Sequence, residues 1–366
     1  MSTNDLNPAP SRAAAALLDQ AIAAKTFPAA AAEAGDSATV LWREARGTLT
    51  FDRDAPDACA ETIFDLASLT KPIATTTVVL DLIDRGLLAL EDPVSSYFTE
   101  WIGRDRESVT IQDLLEHASG LPARLLDRPP EVAREFEHDI CAMPLEYAPR
   151  TRSLYSDLDF ILLGFLATAR GQATLAAQFA GIVARLASAW PTGDPPALMF
   201  GVPAAQQTLV APTLPLDDDL RRGRRLVGEV HDNYAAALGG IAGHAGLFGT
   251  AGAVGAFARA VLRSARGDSA LPAPLSPEIV ARAIRRSTVP GSSRALGWDT
   301  MLPTSSCGTR LSSAAFGHAG FTGTSIWIDP KRDRYFVLLT NRVCGGGTSE
   351  EMQQVRRTFH DALSEL

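Results

Sequence analysis

Lysine is almost missing from this chain. Of its 34 basic residues, only Lys25, Lys71 and Lys331 are lysines, and all the others are arginines. Arginine stays protonated in proteins, whereas a lysine that is removed from water can give up its proton. Lys71 stands where an apolar helical pattern begins, and it is therefore a candidate for proton chemistry.

Cysteine is also scarce, and no two of the four cysteines form a C-x-x-C pair. This argues against a zinc site and against a disulfide framework, and reduced thiols suit a cytoplasmic protein. The first twenty residues lack the basic start and the continuous apolar segment of a secretory signal. We therefore expect a cytoplasmic location.

Long apolar runs and excess positive charge are absent as well. No stretch approaches the ~18 uninterrupted apolar residues of a membrane-spanning helix. The formal net charge is −8, which disfavours nucleic acid and anionic membranes as partners. The chain has 366 residues, of which 46% are hydrophobic, and this is enough for a large buried core.

The N-terminal part predicts both helix and strand. Residues 12–25 predict an alanine-rich helix, and residues 38–52 alternate around an Arg-Gly pair, which predicts two strands joined by a turn. A helix is predicted to begin at or just before Ser68 and to stop at Gly86. Pro72 agrees with this start because proline is tolerated only in the first turn.

The remainder predicts a helical middle and a return to strands. Residues 90–290 predict mainly helices, and residues 190–230 predict a long ordered loop that covers another part of the molecule. Residues 316–330 and 334–343 predict two adjacent strands. Residues 349–364 predict a closing helix. Strands at both ends therefore predict one sheet built from both termini.

The spacing of Ser68 and Lys71 allows a chemical role. Residues three apart share a helix face, so Ser68 Oγ and Lys71 Nζ can meet. Free N–H groups at the helix start favour a developing oxyanion, and a neutral lysine could take the serine proton. An isolated pair of this kind is more often a helix cap followed by a surface lysine. The interpretation therefore depends on what else the chain contains.

Three further segments occur with this pair in a fixed order. After SLTK (68–71) come LLEHASGLP (114–122), YSD (155–157) and HAG (318–320). With these motifs the chain resembles the serine β-lactamase and penicillin-binding-protein superfamily, from about residue 30 to residue 360. The resemblance is greatest to its class C-like branch, which includes the family VIII carboxylesterases.

The resemblance implies a β-lactamase/transpeptidase-like fold of the α/β (α+β) class. An antiparallel sheet flanked by helices would come from residues 1–85 and 290–366, and a mainly helical region would come from residues 86–289. The active site would lie in the crevice between these two regions.

The resemblance also implies the catalytic residues. Ser68 would be the acyl-accepting nucleophile, Lys71 would share its proton, and Tyr155 would act as base or acid. The backbone N–H groups of Ser68 and Phe321 would form the oxyanion hole. No metal and no organic cofactor are implied, and the expected partner is a small ester or amide substrate.

Four residues are expected to bind substrate, namely Asp157, His318, Gly320 and Trp298. For Trp298 the favoured role is packing against the sheet near the site, and direct contact with substrate is the second role. Asp157 replaces the asparagine of the family pattern, and a carboxylate there favours the ammonium form of Lys71.

The third motif also departs from the family, with His318 for lysine and Ala319 for threonine. The family uses that lysine and that hydroxyl on the carboxylate of β-lactams and D-Ala-D-Ala ends. An imidazole with an ordinary pKa of about 6.5 is mostly neutral at pH 7. We therefore expect a carboxylesterase that acts on small or short-chain acyl esters.

Other functions and other site residues remain open. The alternatives are a β-lactamase or D-alanyl-D-alanine peptidase, an acyltransferase, and a non-catalytic penicillin-binding-like module. His231, Asp232 and His244 could suggest a triad or a metal site. No spacing among them matches a metal pattern, so they are interpreted as hydrogen-bonded anchors of a loop beside the cleft.

Overall fold

A six-stranded antiparallel sheet is formed from both ends of the chain. The computed structural model describes residues 8–125, 130–187, 197–270 and 272–366. Its strands are β1 (Ala29–Gly35), β2 (Val40–Gly47), β3 (Phe64–Asp65), β4 (Leu198–Phe200), β5 (Leu247–Gly249), β6 (Asp299–Thr300), β7 (Phe316–Ala319), β8 (Ser325–Asp329) and β9 (Arg334–Thr340). The large sheet has the order β2-β1-β9-β8-β7-β6, and this confirms the predicted antiparallel sheet from both termini.

A second sheet of three strands, in the order β3-β5-β4, lies next to the start of the Ser68 helix. The described helices are α1 (Pro8–Ala23), α2 (Thr77–Asp84), α3 (Ile111–Leu115), α4 (Ala133–Ala142), α5 (Asp157–Gly171), α6 (Leu175–Ala187), α7 (Asn233–Ala237), α8 (Ala251–Ala265), α9 (Pro277–Ala283) and α10 (Ser349–Leu363). Helices cover both faces of the large sheet. Most of the other helices come from the part of the sequence between strands β2 and β6.

Strand β1 was not predicted, because it is almost entirely alanine, a poor strand former. It lies between β2 and β9, and all seven of its residues are buried. Ala30, Ala32 and Ala34 belong to the core under α1 and α10, whereas Ala29 and Ala31 belong to the core under α8. Helices pack on both faces of this strand, so small side chains suit it.

Two strand predictions were wrong in detail. Only residues 40–47 of the predicted 38–52 hairpin form a strand, and this strand pairs with β1 and with no later segment of the hairpin. The single strand predicted for residues 316–330 is two strands, β7 and β8, separated by a turn at 320–324. That turn carries the expected oxyanion donor.

The helix predictions at both ends are confirmed by α1 and α10, and α2 ends just before Gly86 as predicted. Helix α8 packs on β9 and β1, although it falls inside the range 86–289 that was expected to form the helical region. The expected boundary at residue 290 therefore does not hold for this helix.

No single described helix is both long and apolar enough to cross a membrane. Helices α5 and α6 meet the length and composition criteria only as a pair, and their axes are bent by 76° at the break.

Candidate active site

The turn before Ser68 is held in an unusual backbone conformation. Ala67 has φ +47°, a value that non-glycine residues rarely adopt. Its N–H donates to Asp65 Oδ1 over 2.8 Å, and its carbonyl accepts from Thr70 Oγ1 over 2.6 Å. Ser68 lies in a short 3₁₀ turn, and a π-helical turn, Lys71–Thr76, follows it. Local hydrogen bonds therefore fix the position of Ser68.

Lys71 lies directly behind Ser68 and is completely buried. Its Nζ is 3.3 Å from Ser68 Oγ, 2.7 Å from Asp157 Oδ1 and 3.1 Å from the carbonyl oxygen of His244. The same nitrogen lies 4.8 Å from the centre of the Tyr155 ring. The three predicted catalytic side chains are therefore brought together, with Lys71 close to both Ser68 and Tyr155.

The pKa of Lys71 is raised above its ordinary value. Burial by itself would lower this pKa, but the Asp157 carboxylate and the Tyr155 phenol oxygen outweigh burial. Lys71 is therefore an ammonium group at neutral pH. The expectation that Asp157 favours the charged form is confirmed, and a neutral Lys71 does not describe the resting site.

Tyr155 is placed by the start of helix α5. The Ser156 hydroxyl caps this helix by accepting from the N–H groups of its second and third residues, and it donates to the Pro122 carbonyl over 2.6 Å. The Ser156 N–H donates to His117 Nδ1 over 3.1 Å, and the His117 ring lies 4.7 Å from that of Tyr155. The segment LLEHASGLP therefore positions the second motif.

Arg124, which the sequence analysis did not predict, completes the charge network around Lys71. Its guanidinium donates to Asp157 Oδ2 over 2.9 Å, to Asp232 Oδ2 over 3.2 Å and to Asn233 Oδ1 over 2.9 Å. Asp157 thus lies between two cations and accepts from both. This carboxylate acts on Lys71, and because it also lines the cavity, its expected contact with substrate stays a prediction.

Two backbone N–H groups are available to an oxyanion. Those of Ser68 and Phe321 donate to no described residue, whereas their neighbours Leu69 and Gly320 donate to backbone carbonyls. A side chain at Gly320 would place Cβ 2.6 Å from the Leu66 carbonyl oxygen, so only glycine lets this turn approach the Ser68 segment. Gly320 is therefore a spacing residue.

His318 is buried and uncharged at the position of the family's lysine. Burial lowers its pKa well below the ordinary value, and the Arg294 and Lys71 charges lower it further. Its Nδ1 lies 2.8 Å from the Ala319 carbonyl oxygen, which can only accept, so Nδ1 carries the hydrogen. Nε2 has no described partner. The buried Nε2 is therefore an unpartnered hydrogen-bond acceptor in the wall of the cavity.

The expectation that Trp298 contacts substrate is wrong. Its side chain is buried in the core and packs edge-on against Phe316, with ring centres 5.2 Å apart. It is not among the described residues that line the cavity. The favoured role, packing against the sheet, is the one observed.

A cavity of about 1240 Å³ opens in front of Ser68. Of the predicted residues, those that line it are Ser68, Tyr155, Asp157, His318, Gly320 and Phe321. The predicted loop 190–230 contributes Leu216, Leu220 and Arg221, although residues 188–196 lie outside the described part.

Arg294 also lines this cavity and was not predicted. Its guanidinium carbon lies 5.1 Å from the centre of the Tyr155 ring. Unlike Arg124, its side chain forms no hydrogen bond or ion pair with a described residue. It is therefore a cation of the cleft that remains available to a ligand.

His231, Asp232 and His244 act as loop anchors, as interpreted. The His231 N–H donates to Asp65 Oδ2, and Asp232 accepts from the Ala235 N–H at the start of α7. His244 Nε2 lies 2.8 Å from Asp232 Oδ1. Among the described residues, no cluster of three or more His, Cys, Asp or Glu side chains could hold a metal ion.

Comparison with known proteins places the chain in a family. The family model described as Beta-lactamase matches residues 14–357. The chain belongs to the Beta-lactamase family. It is thus a member of a family of serine hydrolases, related to penicillin-binding proteins.

The relatives of this Beta-lactamase family member carry several activities in their names. A protein of Escherichia coli (strain K12), provisionally named D-alanyl-D-alanine carboxypeptidase, is 31% identical over an alignment of 316 residues, and the match covers 78% of this chain and 70% of that protein. Among solved structures, EstCE1, named as a hydrolase with promiscuous acyltransferase activity, has a TM-score of 0.74 and 18% identity and covers 97% and 98% of the two chains.

A class C β-lactamase from Rhodobacter sphaeroides has a TM-score of 0.71 and 18% identity, with 95% and 98% of the two chains covered. At this identity the solved structures confirm the fold and say nothing of the substrate.

Proposed function

We propose that this protein is a serine carboxylesterase that forms an acyl-enzyme on Ser68. The observation that carries the proposal is His318. At the position where the family pattern has a lysine, the cleft is lined by a neutral, buried ring whose unpartnered nitrogen can only accept a hydrogen bond. Such a group offers no attraction to a carboxylate, whereas a neutral ester loses nothing by it.

The charge state of Lys71 suggests which group takes the serine proton. An ammonium 4.8 Å from the Tyr155 ring stabilises negative charge on the phenol oxygen and cannot itself accept a proton. Tyr155 is therefore the proposed base, and Lys71 holds Ser68 in place while stabilising that base.

The proposed reaction has two halves. Ser68 Oγ attacks the ester carbon, its proton passes to Tyr155, and the carbonyl electrons move onto an oxyanion held by the two free N–H groups. Collapse of this intermediate breaks the bond to the alcohol oxygen, which leaves with the proton. Water then attacks the acyl carbon in the same way, releasing the acid and restoring Ser68.

The size of the cavity bears on the acyl group. Ligand sites for drug-sized molecules are roughly 300–1,000 Å³, and this cavity is about 1240 Å³. Leu220 is 80% exposed and Phe321 is 51% exposed, and both border it. The cleft therefore has apolar surface and room beyond a short acyl chain, and chain length is a variable of the test below.

A second candidate is hydrolysis of substrates that end in a carboxylate, as in a D-alanyl-D-alanine carboxypeptidase. Two observations favour it: the name of the Escherichia coli relative and the available guanidinium of Arg294 beside Tyr155. In this case Arg294 would supply the positive charge that His318 lacks.

The test is steady-state turnover by the wild type and by Ser68→Ala. Substrates are p-nitrophenyl esters of increasing acyl length, a chromogenic cephalosporin and a peptide ending in D-Ala-D-Ala. Ester turnover that Ser68→Ala abolishes, with little turnover of the other two, is the expected result. Preferred turnover of the peptide or the cephalosporin would overturn the esterase assignment in favour of the second candidate.

A further inference from the structure

Two buried arginines contact the turn that carries Phe321, and neither has a carboxylate partner among the described residues. Arg342 and Arg356 are each 7% exposed. Burial lowers the pKa of both, and that of Arg356 falls to about 9 because the Arg342 charge adds to the effect. Burying like charges without a counter-ion is costly, so this arrangement calls for a reason.

Both arginines donate to the carbonyl groups of this turn. Arg356 Nη2 lies 2.6 Å from the Gly320 carbonyl oxygen and 3.1 Å from that of Thr324. Arg342 Nε and Nη2 lie 3.2 and 2.5 Å from the carbonyl oxygen of Phe321. The residues of the turn are therefore held through their oxygens by two cations.

The contact to Gly320 has a chemical consequence. The carbonyl of Gly320 and the N–H of Phe321 belong to one peptide group, and that N–H is the free donor that faces the cleft. A cation bound at the oxygen polarises the whole group, because hydrogen bonds in a chain strengthen one another. The N–H then carries more positive charge at the place where an oxyanion develops.

We propose that Arg356 is a positioning residue for the oxyanion hole, and that its charge strengthens the hydrogen bond from the Phe321 N–H to the transition state. This inference rests on the proposed acyl chemistry at Ser68. It differs from a purely structural role, in which Arg356 only ties α10 to the turn and any side chain that makes the same hydrogen bonds would serve.

The first test compares Arg356→Gln, which keeps a donor without charge, with Arg356→Lys, which keeps the charge. Loss of a whole oxyanion donor costs about 10²- to 10³-fold in kcat, so we expect about 10- to 30-fold for Arg356→Gln, with KM nearly unchanged. Arg356→Lys should stay within about threefold of the wild type. Equal losses in both variants would overturn a role of the charge.

The control is Arg106, which is not among the described residues that line the cavity and which, unlike Arg356, also pairs with Asp105. It is also buried, and its guanidinium donates to the carbonyls of Cys141 and Met143 over 2.7 and 2.8 Å. Arg106→Gln should lower the thermal midpoint without lowering kcat. If Arg356→Gln behaves like this control, Arg356 is only an anchor.

A second readout uses butaneboronic acid, whose boron bonds to Ser68 Oγ and becomes a tetrahedral anion. Its affinity should fall in Arg356→Gln by the same factor as kcat. If no ester is turned over but boronate affinity still falls, the esterase proposal fails and this inference stands. If esters are hydrolysed and neither quantity changes, the inference fails alone.

A pH titration of Arg356→Lys, compared with the wild type, tests whether the positive charge at position 356 is needed. Desolvation lowers the pKa of a buried lysine, so this ammonium should lose its proton as pH rises. kcat and boronate affinity should then decline at a lower pH than in the wild type, whose Arg356 has a pKa of about 9. Parallel pH profiles for the two proteins would contradict the proposal.

Discussion

The positive charges on one side of the cleft are paired with carboxylates, whereas those on the other side are bound to carbonyl oxygens. On the nucleophile side, Lys71 and Arg124 share the carboxylate of Asp157, and Arg124 also contacts Asp232. On the oxyanion side, the hydrogen bonds of Arg342 and Arg356 to described residues all go to carbonyl oxygens. The first side is electrically balanced before any substrate arrives, and the second gains balance when a negative charge forms.

This difference indicates a division of labour. Paired charges hold geometry, because each group has a partner that fixes its direction. Unpaired charges next to polarised peptide groups lower the energy of an anion, and this is the larger contribution in many acyl-transfer enzymes. The three changes that follow alter the oxyanion side, the nucleophile side and the available cation Arg294, in that order.

The largest effect is expected from Gly320→Ala, which disturbs the oxyanion side. The new Cβ would lie 2.2 Å from Thr324 Oγ1 and 2.6 Å from the Leu66 carbonyl oxygen, so the turn must move away from Ser68. We expect kcat for esters to fall about 10²-fold, as for loss of an oxyanion donor. Steady-state kinetics and boronate affinity measure the change.

Gly181→Ala is the control for this substitution. Gly181 lies in α6, and a Cβ there would meet nothing within 4 Å. Its kcat should match the wild type, and its stability should rise by about 0.5–1 kcal/mol because alanine favours helix. Unchanged kcat in Gly320→Ala would remove the basis for placing the oxyanion hole at this turn.

The next effect is expected from Asp157→Asn, which disturbs the balanced side and restores the family's asparagine. Burial lowers the pKa of Lys71, and the Asp157 carboxylate is the main group that raises it. Without that carboxylate the pKa of Lys71 falls, so the ammonium is lost at a lower pH. We expect the basic limb of kcat/KM to move to lower pH, with reduced activity at neutral pH.

The pH profile distinguishes the two roles of Lys71. If Lys71 acts in its neutral form, Asp157→Asn will instead raise activity at neutral pH, and the assignment of Tyr155 as base will be wrong. The exposed Asp139→Asn on α4 makes the same change of net charge and should leave the profile where it is.

The pH dependence of the unfolding free energy tests the same pair, Lys71 and Asp157. A lysine whose pKa is raised on folding stabilises the protein below its unfolded pKa, and this contribution is lost as pH rises through the folded pKa. The contribution of Lys71 is therefore fully present at neutral pH, and Asp157→Asn should lower the midpoint of unfolding there.

The smallest effect is expected from Arg294→Gln. On a depsipeptide ester with a free terminal carboxylate, KM should rise about tenfold if the guanidinium binds that group, as expected for loss of one charged hydrogen bond. On the matching methyl ester it should be unchanged. Equal behaviour of the two substrates would argue that Arg294 binds no carboxylate, and the exposed Arg285→Gln controls for net charge.

The motif residues could be predicted because their geometry is local or is shared by a family. Ser68 and Lys71 are one helical turn apart, and Tyr155 precedes a helix whose cap can be seen in the sequence. The arginines could not be predicted in the same way. Arg124, Arg294 and Arg356 come from distant segments, and whether each is paired depends on packing that a sequence pattern does not contain.

Strands and single large side chains show the same limit. The alanines of β1 carry no strand signal, because burial on both faces and not propensity makes the strand. The sequence left Trp298 two roles, packing against the sheet and contact with substrate, and the position of Phe316 shows that its ring belongs to the core. Burial partners decided both cases.

The most direct test of the account is mass spectrometry of the protein quenched during turnover of a p-nitrophenyl ester. The account predicts that wild-type protein gains the mass of the acyl group, that peptide mapping places it on Ser68, and that Ser68→Ala gains nothing. Acylation of another residue, or ester turnover by Ser68→Ala at the wild-type rate, would contradict the central claim.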